Sequence, residues 1–252
     1  MSAAGIRIGC AGWSIGTPQR DLFGDGSSML ARYATRLDVA EVNSSFYRPH
    51  RRETWTRWAE SVPAHFRFSA KMPRTISHEL ALRGAGLALD RFLGEVEGLG
   101  RKLGGLLLQL PPGLAFDARS ASAFLRMLRR RSGVPVACEP RHASWFEPRA
   151  GELLQRHGIT RVAADPARCR TPRAPAVADD WSYWRWHGSP RMYYSRYDDD
   201  ALQALADAVV AARGRRAWVI FDNTAHGHAV TDALRFKALC AQRRPARGGH
   251  RA

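Results

Sequence analysis

The sequence predicts an α/β protein that folds as a single (β/α)8 barrel of the TIM type, on three observations. Eight short apolar runs recur along the chain at intervals of roughly 22 to 39 residues. Most gaps between them have the apolar periodicity of amphipathic helices. The length of 252 residues matches one such barrel, which typically has about 250 residues. A doubly wound open sheet is the alternative, but its usual glycine-rich first βα turn is weak here.

The apolar runs predict eight strands, most of which end in a polar or charged residue. In the third run, Phe66, Phe68 and Ala70 alternate with Arg67 and Ser69, the period of a β-strand. The predicted strands are Ile6–Cys10, Val39–Asn43, Phe66–Lys71, Gly105–Leu110, Pro135–Glu139, Thr160–Asp165, Ser182–His187 and Ala217–Asn223.

Helices are predicted between these strands from apolar spacing and end signals. A capping serine, Ser27, opens the first helix, and Pro63 ends the second. The C-terminal end of the fourth predicted helix is rich in arginine, whose positive charge is favourable at the negative pole of the helix dipole. The predicted helices are Ser27–Leu37, Thr54–Val62, Leu87–Leu103, Ala118–Arg131, a short one around Gly151–His157, Asp200–Arg213 and His226–Ala241.

The remaining segments are predicted loops, and the chain reads as one domain. Ala11–Gly26 is rich in glycine and is predicted to loop over the barrel mouth, and Cys169–Ala178 is predicted to be irregular. Residues 1–241 form the predicted barrel domain, and residues 242–252 form a basic tail predicted to be disordered.

Composition indicates a cytoplasmic protein with an affinity for anions. No apolar stretch reaches the roughly 18 residues needed to span a bilayer, so no membrane partner is expected. The four cysteines lack metal-binding or CxxC spacing, which favours reduced thiols. The net charge of +16 attracts anionic partners, either a small anionic substrate or nucleic acid. A coding bias toward arginine is the alternative explanation of that charge.

Polar residues follow most of the predicted strands, at the end where a barrel carries its active site. Unpaired charges in a barrel interior are costly, so these side chains must pair, bind a ligand or face solvent. We expect a site there built from Glu41, Asn43, Lys71, Gln109, Glu139, Arg141, His142, Asp165, Arg185, His187, Asp222 and Asn223.

Three carboxylates on separate strands are candidate catalytic groups. Glu41, Glu139 and Asp222 could act as general acid and base, because crowded like charges split their pKa values. The alternative is a network of ion pairs with the lysine and arginines of the site, which closes the barrel.

Lys71 is the fourth candidate catalytic residue. It is one of only three lysines among 39 Lys+Arg, and a buried ammonium can lose its proton where a guanidinium cannot. That property suits Schiff-base or general-base chemistry. An ordinary ion pair is the alternative.

Aromatic residues in the loops complete the predicted substrate-binding set. Trp13, Tyr47, Trp145 and Tyr193 are expected to rim the mouth, where rings can stack on sugars or bases. In contrast, Trp184 and Trp186 lie on the opposite strand face from Arg185, and we expect them to pack under the helices.

No cofactor is predicted, with a divalent metal as the alternative. Glu41, Glu139, Asp165 and His187 would supply a hard nitrogen and oxygen set suited to magnesium or manganese. Nothing in their spacing requires a metal, so none is assigned.

Several motifs, in order, resemble the YecE-like family, domain of unknown function 72. They span about residues 6–240 and imply a TIM-type barrel but no activity. Ile15 departs from the pattern, because the family tends to have an aromatic residue there. The motifs are Gly12-Trp13-Ser14, Glu41 to Arg48, Phe68 to Pro73, Gln109 to Pro112, Glu139 to Trp145, Arg185 to Gly188 and Phe221 to Thr224.

The expected function is that of an enzyme using general acid–base chemistry on a polar anionic substrate. A hydrolase or lyase acting on a phosphorylated sugar or a nucleic-acid-derived molecule fits the predicted site, with the arginines and His187 as electrostatic stabilisers. A nucleic-acid-binding barrel and a non-catalytic interaction scaffold are the alternatives.

Overall fold

The computed structural model describes residues 5–166, 180–212 and 216–242. Within these ranges all strand pairs are parallel, and the strands are β1 (Ile6–Ala11), β2 (Val39–Val42), β3 (Arg67–Lys71), β4 (Leu103–Gln109), β5 (Val136–Glu139), β6 (Ile159–Arg161), β7 (Ala163–Asp165), β8 (Trp181–Trp186) and β9 (Arg216–Phe221). They form one sheet in the order β6-β5-β4-β3-β2-β1-β9-β8-β7.

The two ends of this sheet are halves of one predicted strand, so the sheet closes into a barrel. β6 pairs with β5 and β7 pairs with β8. Between the halves, Val162 donates its amide to the carbonyl of Cys138 at 2.8 Å. Thr160 Oγ1 also donates to the carbonyl of Trp181 at 2.8 Å, which joins β6 to β8. The predicted TIM-type barrel is confirmed, with the sixth strand divided in two.

Helices lie between most of the strands, as predicted. The helices are α1 (Met29–Tyr33), α2 (Arg52–Glu60), α3 (Gly86–Val96), α4 (Ala118–Arg131), α5 (Pro148–Arg156), α6 (Asp199–Ala211) and α7 (His228–Gln242). Side-chain caps fix several starts, because a cap oxygen satisfies an amide that has no partner within the helix. Ser28 caps α1, Asp117 caps α4 and Asp198 caps α6.

Two predicted helices are shorter than expected, for identifiable reasons. Ser28, rather than Ser27, is the cap of α1, and the helix ends at Tyr33. The predicted helix Leu87–Leu103 ends at Val96 and continues as a 3-10 helix, Glu97–Lys102. Gly100 breaks it with a φ of 51°, a left-handed conformation that favours glycine.

Short helical turns appear in loops on the site side of the barrel. A 3-10 helix, Thr17–Leu22, lies within the predicted loop after β1. A π-helical turn, Thr75–Glu79, follows β3 and was not predicted. The predicted loop Cys169–Ala178 and almost all of the basic tail lie outside the described residues.

The core has two layers, which follow from the alternation of side chains along each strand. Inside the barrel, Trp181 and Trp218 pack edge to face at 5.6 Å near the strands' N-terminal ends. Gly104 and Gly105 make room for them: a Cβ at either position would lie within 3.0 Å of an indole ring. Aromatic side chains therefore fill the N-terminal end of the barrel interior, and the polar residues lie at its C-terminal end.

The second layer lies between the barrel and the helices. Trp184 and Trp186 are buried there as predicted, and Trp186 packs against Phe236 of α7 at 4.9 Å. No helix in the described parts of the chain is both long and apolar enough to cross a membrane.

Candidate active site at the barrel mouth

Arg185 is the centre of the polar cluster at the C-terminal ends of the strands. It lies on β8, faces the interior and is fully buried, with 0% exposure. Its guanidinium contacts three carboxylates from three other strands. Nη2 donates to Glu41 Oε1 at 2.7 Å and to Asp222 Oδ2 at 2.9 Å, while Nη1 donates to Glu139 Oε2 at 2.7 Å. Nε makes a further bond of 3.1 Å to Glu41 Oε2, so all three guanidinium nitrogens donate to carboxylates.

His187 joins two of these carboxylates from above. Its Nδ1 lies 2.9 Å from Asp222 Oδ2 and its Nε2 lies 2.7 Å from Glu139 Oε1. Each ring nitrogen of His187 therefore lies within hydrogen-bonding distance of one carboxylate oxygen. Arg141 Nη2 also donates to Glu139 Oε1 at 2.8 Å. The cluster therefore sets two arginines and one histidine against three carboxylates.

The basic groups keep two of the carboxylates ionised. Burial alone would raise the pKa of Glu139, but Arg185, Arg141 and His187 overcome it and hold that pKa well below its ordinary value. Burial likewise opposes ionisation of Asp222, and Arg185 and His187 lower the pKa of that carboxyl. At neutral pH both carboxyl groups are ionised and paired with basic side chains. This arrangement agrees with the alternative that the sequence left open, a network of ion pairs.

These shifts make the fold sensitive to acid. A carboxyl group with a lowered folded pKa stabilises the fold above its unfolded pKa, and this stabilisation is lost as pH falls through the folded value. We expect the unfolding free energy to decline from the ordinary values of 4.5 for Glu139 and 3.8 for Asp222 downward. Urea unfolding followed by circular dichroism between about pH 7 and pH 3 measures this slope.

Two variants distinguish the effect of this cluster on acid stability from the effect of surface carboxylates. Glu139→Gln should be less stable at neutral pH and should show a shallower loss on acidification. Asp25→Asn changes a fully exposed carboxylate and should retain the slope of the unmodified protein. Equal slopes for Glu139→Gln and the unmodified protein would contradict the assignment.

Beneath the ion pairs lies a hydrogen-bonded tyrosine that the sequence interpretation missed. The Tyr183 hydroxyl donates to Glu41 Oε2 at 2.8 Å and lies 2.7 Å from Ser69 Oγ. Burial and the Glu41 carboxylate raise the pKa of Tyr183 well above its ordinary value, so it remains a donor. The signal was present, since Tyr183 lies two residues before Arg185 and faces the same side of β8.

Lys71 lies at the end of β3 beside this cluster but outside its ion pairs. It is 4% exposed, and its Nζ donates to Asn43 Oδ1 at 3.1 Å. The Nζ also lies 4.2 Å from the centre of the Phe46 ring. Burial first, and then the charge of Arg185, lower the pKa of Lys71 to about 8, although nearby carboxylates raise it in part. A fraction of Lys71 is therefore a neutral amine near physiological pH.

Other basic side chains also lie near Lys71 at the mouth. Arg141 is 8% exposed, and its buried Nε has no hydrogen-bond partner among the described residues. Its Nη1 has only a weak contact, 3.9 Å from Met192 Sδ. His78, which was not predicted, contacts the Phe46 ring at 4.9 Å. Reasoning from strand ends could not find His78, because it lies in the π-helical turn.

The positive charge of these groups also acts on His78. Burial lowers the pKa of His78. The neighbouring positive charges of Lys71, Arg74 and Arg141 lower it further. An anion bound among these groups would relieve the repulsion, so the mouth favours anionic ligands.

Asp165 and Asn223 lie to one side and support a loop. The Tyr197 hydroxyl donates to Asp165 Oδ2 at 2.9 Å. Asn223 Nδ2 donates to the carbonyl of Ser195 at 3.0 Å and to Asp232 Oδ2 at 2.8 Å. These bonds hold the segment after β8, so both residues position the loop instead of lining the mouth.

Two residues predicted to bind substrate are engaged in local structure. His142 caps the 3-10 helix Ala143–Phe146, since its Nδ1 accepts from the Ser144 amide at 3.2 Å. Trp145 is only 2% exposed, and its Nε1 donates to the carbonyl of Leu114 at 2.9 Å. The expectation that Trp145 rims the mouth is wrong, because its indole is buried against Phe116 at 5.0 Å.

The remaining predicted residues lie nearer the surface. Trp13 is half-buried and packs edge to face on Trp58 at 5.0 Å. Tyr47 is 70% exposed, beside Phe46. Gln109 ends β4, half-buried and in register with Glu139.

The four residues considered above as possible metal ligands, Glu41, Glu139, Asp165 and His187, do not form a metal-binding site. Arg185 occupies the space between Glu41 and Glu139, where a cation would have to bind. Among the described residues, no group of three or more histidine, cysteine or acidic side chains is arranged to hold a metal ion.

The closed parallel sheet and its charged C-terminal mouth define a TIM-type α/β barrel protein. The family model "Protein of unknown function DUF72" matches residues 7–251. The chain belongs to this family, which confirms the resemblance seen in the sequence motifs.

Known relatives agree with this membership. UPF0759 protein YecE of Escherichia coli (strain K12) is 31% identical over 162 residues, which cover 61% of this chain and 59% of that protein. The chain thus matches less than two thirds of that relative's length. A DUF72 family protein from Thermotoga maritima MSB8 has a crystal structure that is 25% identical, with a TM-score of 0.79 over 94% of this chain and 99% of that one. A DUF72 family protein from Enterococcus faecalis V583 is 22% identical, with a TM-score of 0.78 over 94% and 95% of the two chains, and it supports the fold alone.

Proposed function

We propose that this protein is a cytoplasmic enzyme that binds a small organic anion at the barrel mouth and removes a proton from it with Lys71. The observation that carries the proposal is a buried lysine with a pKa of about 8 outside the ion-pair network. A base works best when its pKa lies near the operating pH. Buried free thiols at Cys10 and Cys138 fit a reducing compartment.

The charge balance of the cluster explains why Lys71 suits this role. The three carboxylates already contact Arg185, Arg141 and His187, and none of them is paired with Lys71 among the described residues. A proton on Lys71 therefore adds an uncompensated buried charge, which favours the neutral amine. Its lone pair is then available to accept a proton from a bound substrate.

Other side chains have supporting roles in the proposed reaction. Arg141 presents an Nε that has no hydrogen-bond partner among the described residues and that can donate to an anionic substrate group or to negative charge that develops during the reaction. The Asn43 amide fixes the position of the lysine amine. Arg185 is saturated by carboxylates and holds the strand ends together, so it is a positioning residue.

Proton abstraction can be detected without knowing the complete reaction. A panel of phosphorylated aldoses and ketoses and of small hydroxy acids, with and without an aromatic substituent, is incubated in deuterated buffer, and proton NMR follows the replacement of carbon-bound hydrogen. We expect exchange in at least one member, at a rate that rises with pH through about 8, because the neutral amine is the base.

Lys71→Arg retains the charge but cannot supply a neutral amine, so it should lower the exchange rate by about 10²–10⁴-fold. Lys237→Arg, at a surface lysine paired with Asp38 at 3.0 Å, is the matched control and should leave the rate unchanged. Full activity in Lys71→Arg, or no exchange by the unmodified protein on any panel member, would remove Lys71 from the proposed role.

Nucleic-acid binding is a second candidate, favoured by the net charge of +16. Binding dominated by phosphate contacts weakens steeply as salt increases. Fluorescence anisotropy with a labelled single-stranded oligonucleotide at increasing salt tests this candidate. Absent or salt-insensitive binding would rule out this candidate. The paired carboxylates favour a scaffold without catalysis, but Arg141 Nε, which has no partner in the part of the chain that the structure describes, supports a ligand site instead.

A further inference from the structure

A second concave feature adjoins the mouth on its outer side. A cavity of about 410 Å³ lies between α3 and the segments that follow β2 and β3. Its apolar walls include Phe46, Tyr47, Pro73, Leu87 and Phe92. Its volume is within the range of small-molecule sites. None of the roles described above for the mouth uses this cavity.

The cavity and Lys71 share one wall. Phe46 lines the cavity, and the Lys71 ammonium lies 4.2 Å from the centre of the same ring. Ser45 also lines the cavity, and its Oγ donates to the Lys71 carbonyl at 2.7 Å. A molecule of modest length could therefore contact the amine and the cavity together.

The charged residues of the cavity nearly cancel. Arg74 pairs with Glu79 at 2.7 Å, and Arg91 pairs with Glu95 at 3.0 Å. Arg48 lines the cavity as well, and no acidic residue of the lining remains to balance it. The cavity is thus an apolar space with one excess positive charge, which suits the apolar part of an anion.

Two large apolar side chains at the cavity are unusually open to solvent. Leu87 is 87% exposed and Tyr47 is 70% exposed, and both line the cavity. Neither contributes to the core by its position. Exposed apolar side chains next to a cavity are typical of a ligand-binding surface.

We infer that the substrate is an organic anion with an apolar or aromatic substituent, whose anionic group lies at Lys71 and Arg141 while the substituent occupies the cavity beside Phe46. This inference rests on the proposed function and narrows its substrate class. A bare phosphorylated sugar would leave the apolar walls in contact with water. A planar ring would cover Leu87 and Tyr47 and remove their apolar surface from solvent.

Phenyl phosphate and inorganic phosphate are probes that differ by the apolar ring. Their dissociation constants are measured by isothermal titration calorimetry, and occupancy of the mouth is followed by the NMR signal of the Lys71 side chain. Burial of one phenyl ring should tighten binding by about ten-fold or more relative to phosphate. Both probes should shift the Lys71 signal.

The double variant Tyr47→Ser with Leu87→Ser removes the exposed walls without adding charge. It should reduce the advantage of phenyl phosphate to below about three-fold and leave phosphate affinity unchanged. Val210→Ser makes the same kind of change at an exposed apolar residue of α6 and should have no effect on either probe.

The outcomes distinguish this inference from the proposed function. If phosphate shifts the Lys71 signal but phenyl phosphate binds no more tightly, the cavity is not used and only the inference fails. The inference is also overturned if phenyl phosphate still binds more tightly than phosphate in the double variant. It is overturned as well if phenyl phosphate binds more tightly without shifting the Lys71 signal. If neither probe binds, the anion site itself fails and both proposals fail with it.

Discussion

Arg185→Met is expected to destabilise the protein more than any other single change at the site. Removing one partner of a buried ion pair costs about 3–5 kcal/mol, because the remaining charge is left buried and unpaired. Here the change would leave Glu41, Glu139 and Asp222 facing one another without the guanidinium that holds them at 2.7 to 2.9 Å. We expect a large fall in the urea midpoint at neutral pH, or failure to fold.

Acidification should partly rescue this variant. Protonation removes the repulsion between the orphaned carboxylates, so the stability of Arg185→Met should be highest at mildly acidic pH, opposite to the trend of the unmodified protein. Arg91→Met removes the exposed arginine that pairs with Glu95, and it should change stability by less than about 0.5 kcal/mol. If Arg185→Met is as stable as this control, the cluster does not organise the barrel mouth.

Lys71→Met should have the opposite effect and stabilise the fold. A pKa lowered from 10.5 to about 8 means that the folded state disfavours the charged amine, and each unit corresponds to about 1.4 kcal/mol. Loss of the bond to Asn43 offsets part of this gain. At neutral pH we expect Lys71→Met to be more stable by about 1–3 kcal/mol and to lack the exchange activity.

The pH dependence of this gain has a definite sign. Below about pH 8 the lysine is charged in both states, so the folded protein carries the full penalty. Between about 8 and 10.5 the unfolded state binds more protons than the folded state, so the stability of the unmodified protein rises with pH. The advantage of Lys71→Met should therefore shrink across this window and vanish above it.

Urea unfolding at several pH values measures this trend, and Lys237→Met is the surface control. A variant that is less stable than the unmodified protein at neutral pH would show that Lys71 is an ordinary structural cation.

The two variants contrast a residue expected to stabilise the fold, Arg185, with a residue that the proposed reaction requires, Lys71. The carboxylates that looked like acid–base candidates in the sequence are fixed by arginine. The lysine beside them has no carboxylate partner within the described network, since its bond goes to the neutral amide of Asn43. Active sites often retain such unfavourable groups because function requires them.

Much of the fold and the location of the site could be predicted from sequence periodicity. The alternation along β8 placed Arg185 inside the barrel and Trp186 beneath the surrounding helices, and both positions are confirmed. Polar strand ends also brought Glu41, Glu139 and Asp222 to one mouth, because parallel strands in a barrel end on the same side.

The pairing inside that mouth could not be predicted. Whether Glu139 acts as an acid or as an ion-pair partner depends on where Arg185 and Arg141 direct their donors, and those directions follow from three-dimensional packing. Trp145 was misplaced because a loop residue can turn inward when a backbone carbonyl accepts its indole hydrogen. His78 was missed because it belongs to no strand end.

The pKa of Lys71, measured directly, is the most direct test of this account. The chain has three lysines, Lys71, Lys102 and Lys237, so selective ¹³C labelling of lysine gives three side-chain signals that Lys→Arg variants assign. Titration by NMR should show Lys71 losing its proton at a pH of about 8. A Lys71 signal that titrates near the ordinary value of 10.5 would contradict the central claim that the barrel mouth holds a reactive neutral amine.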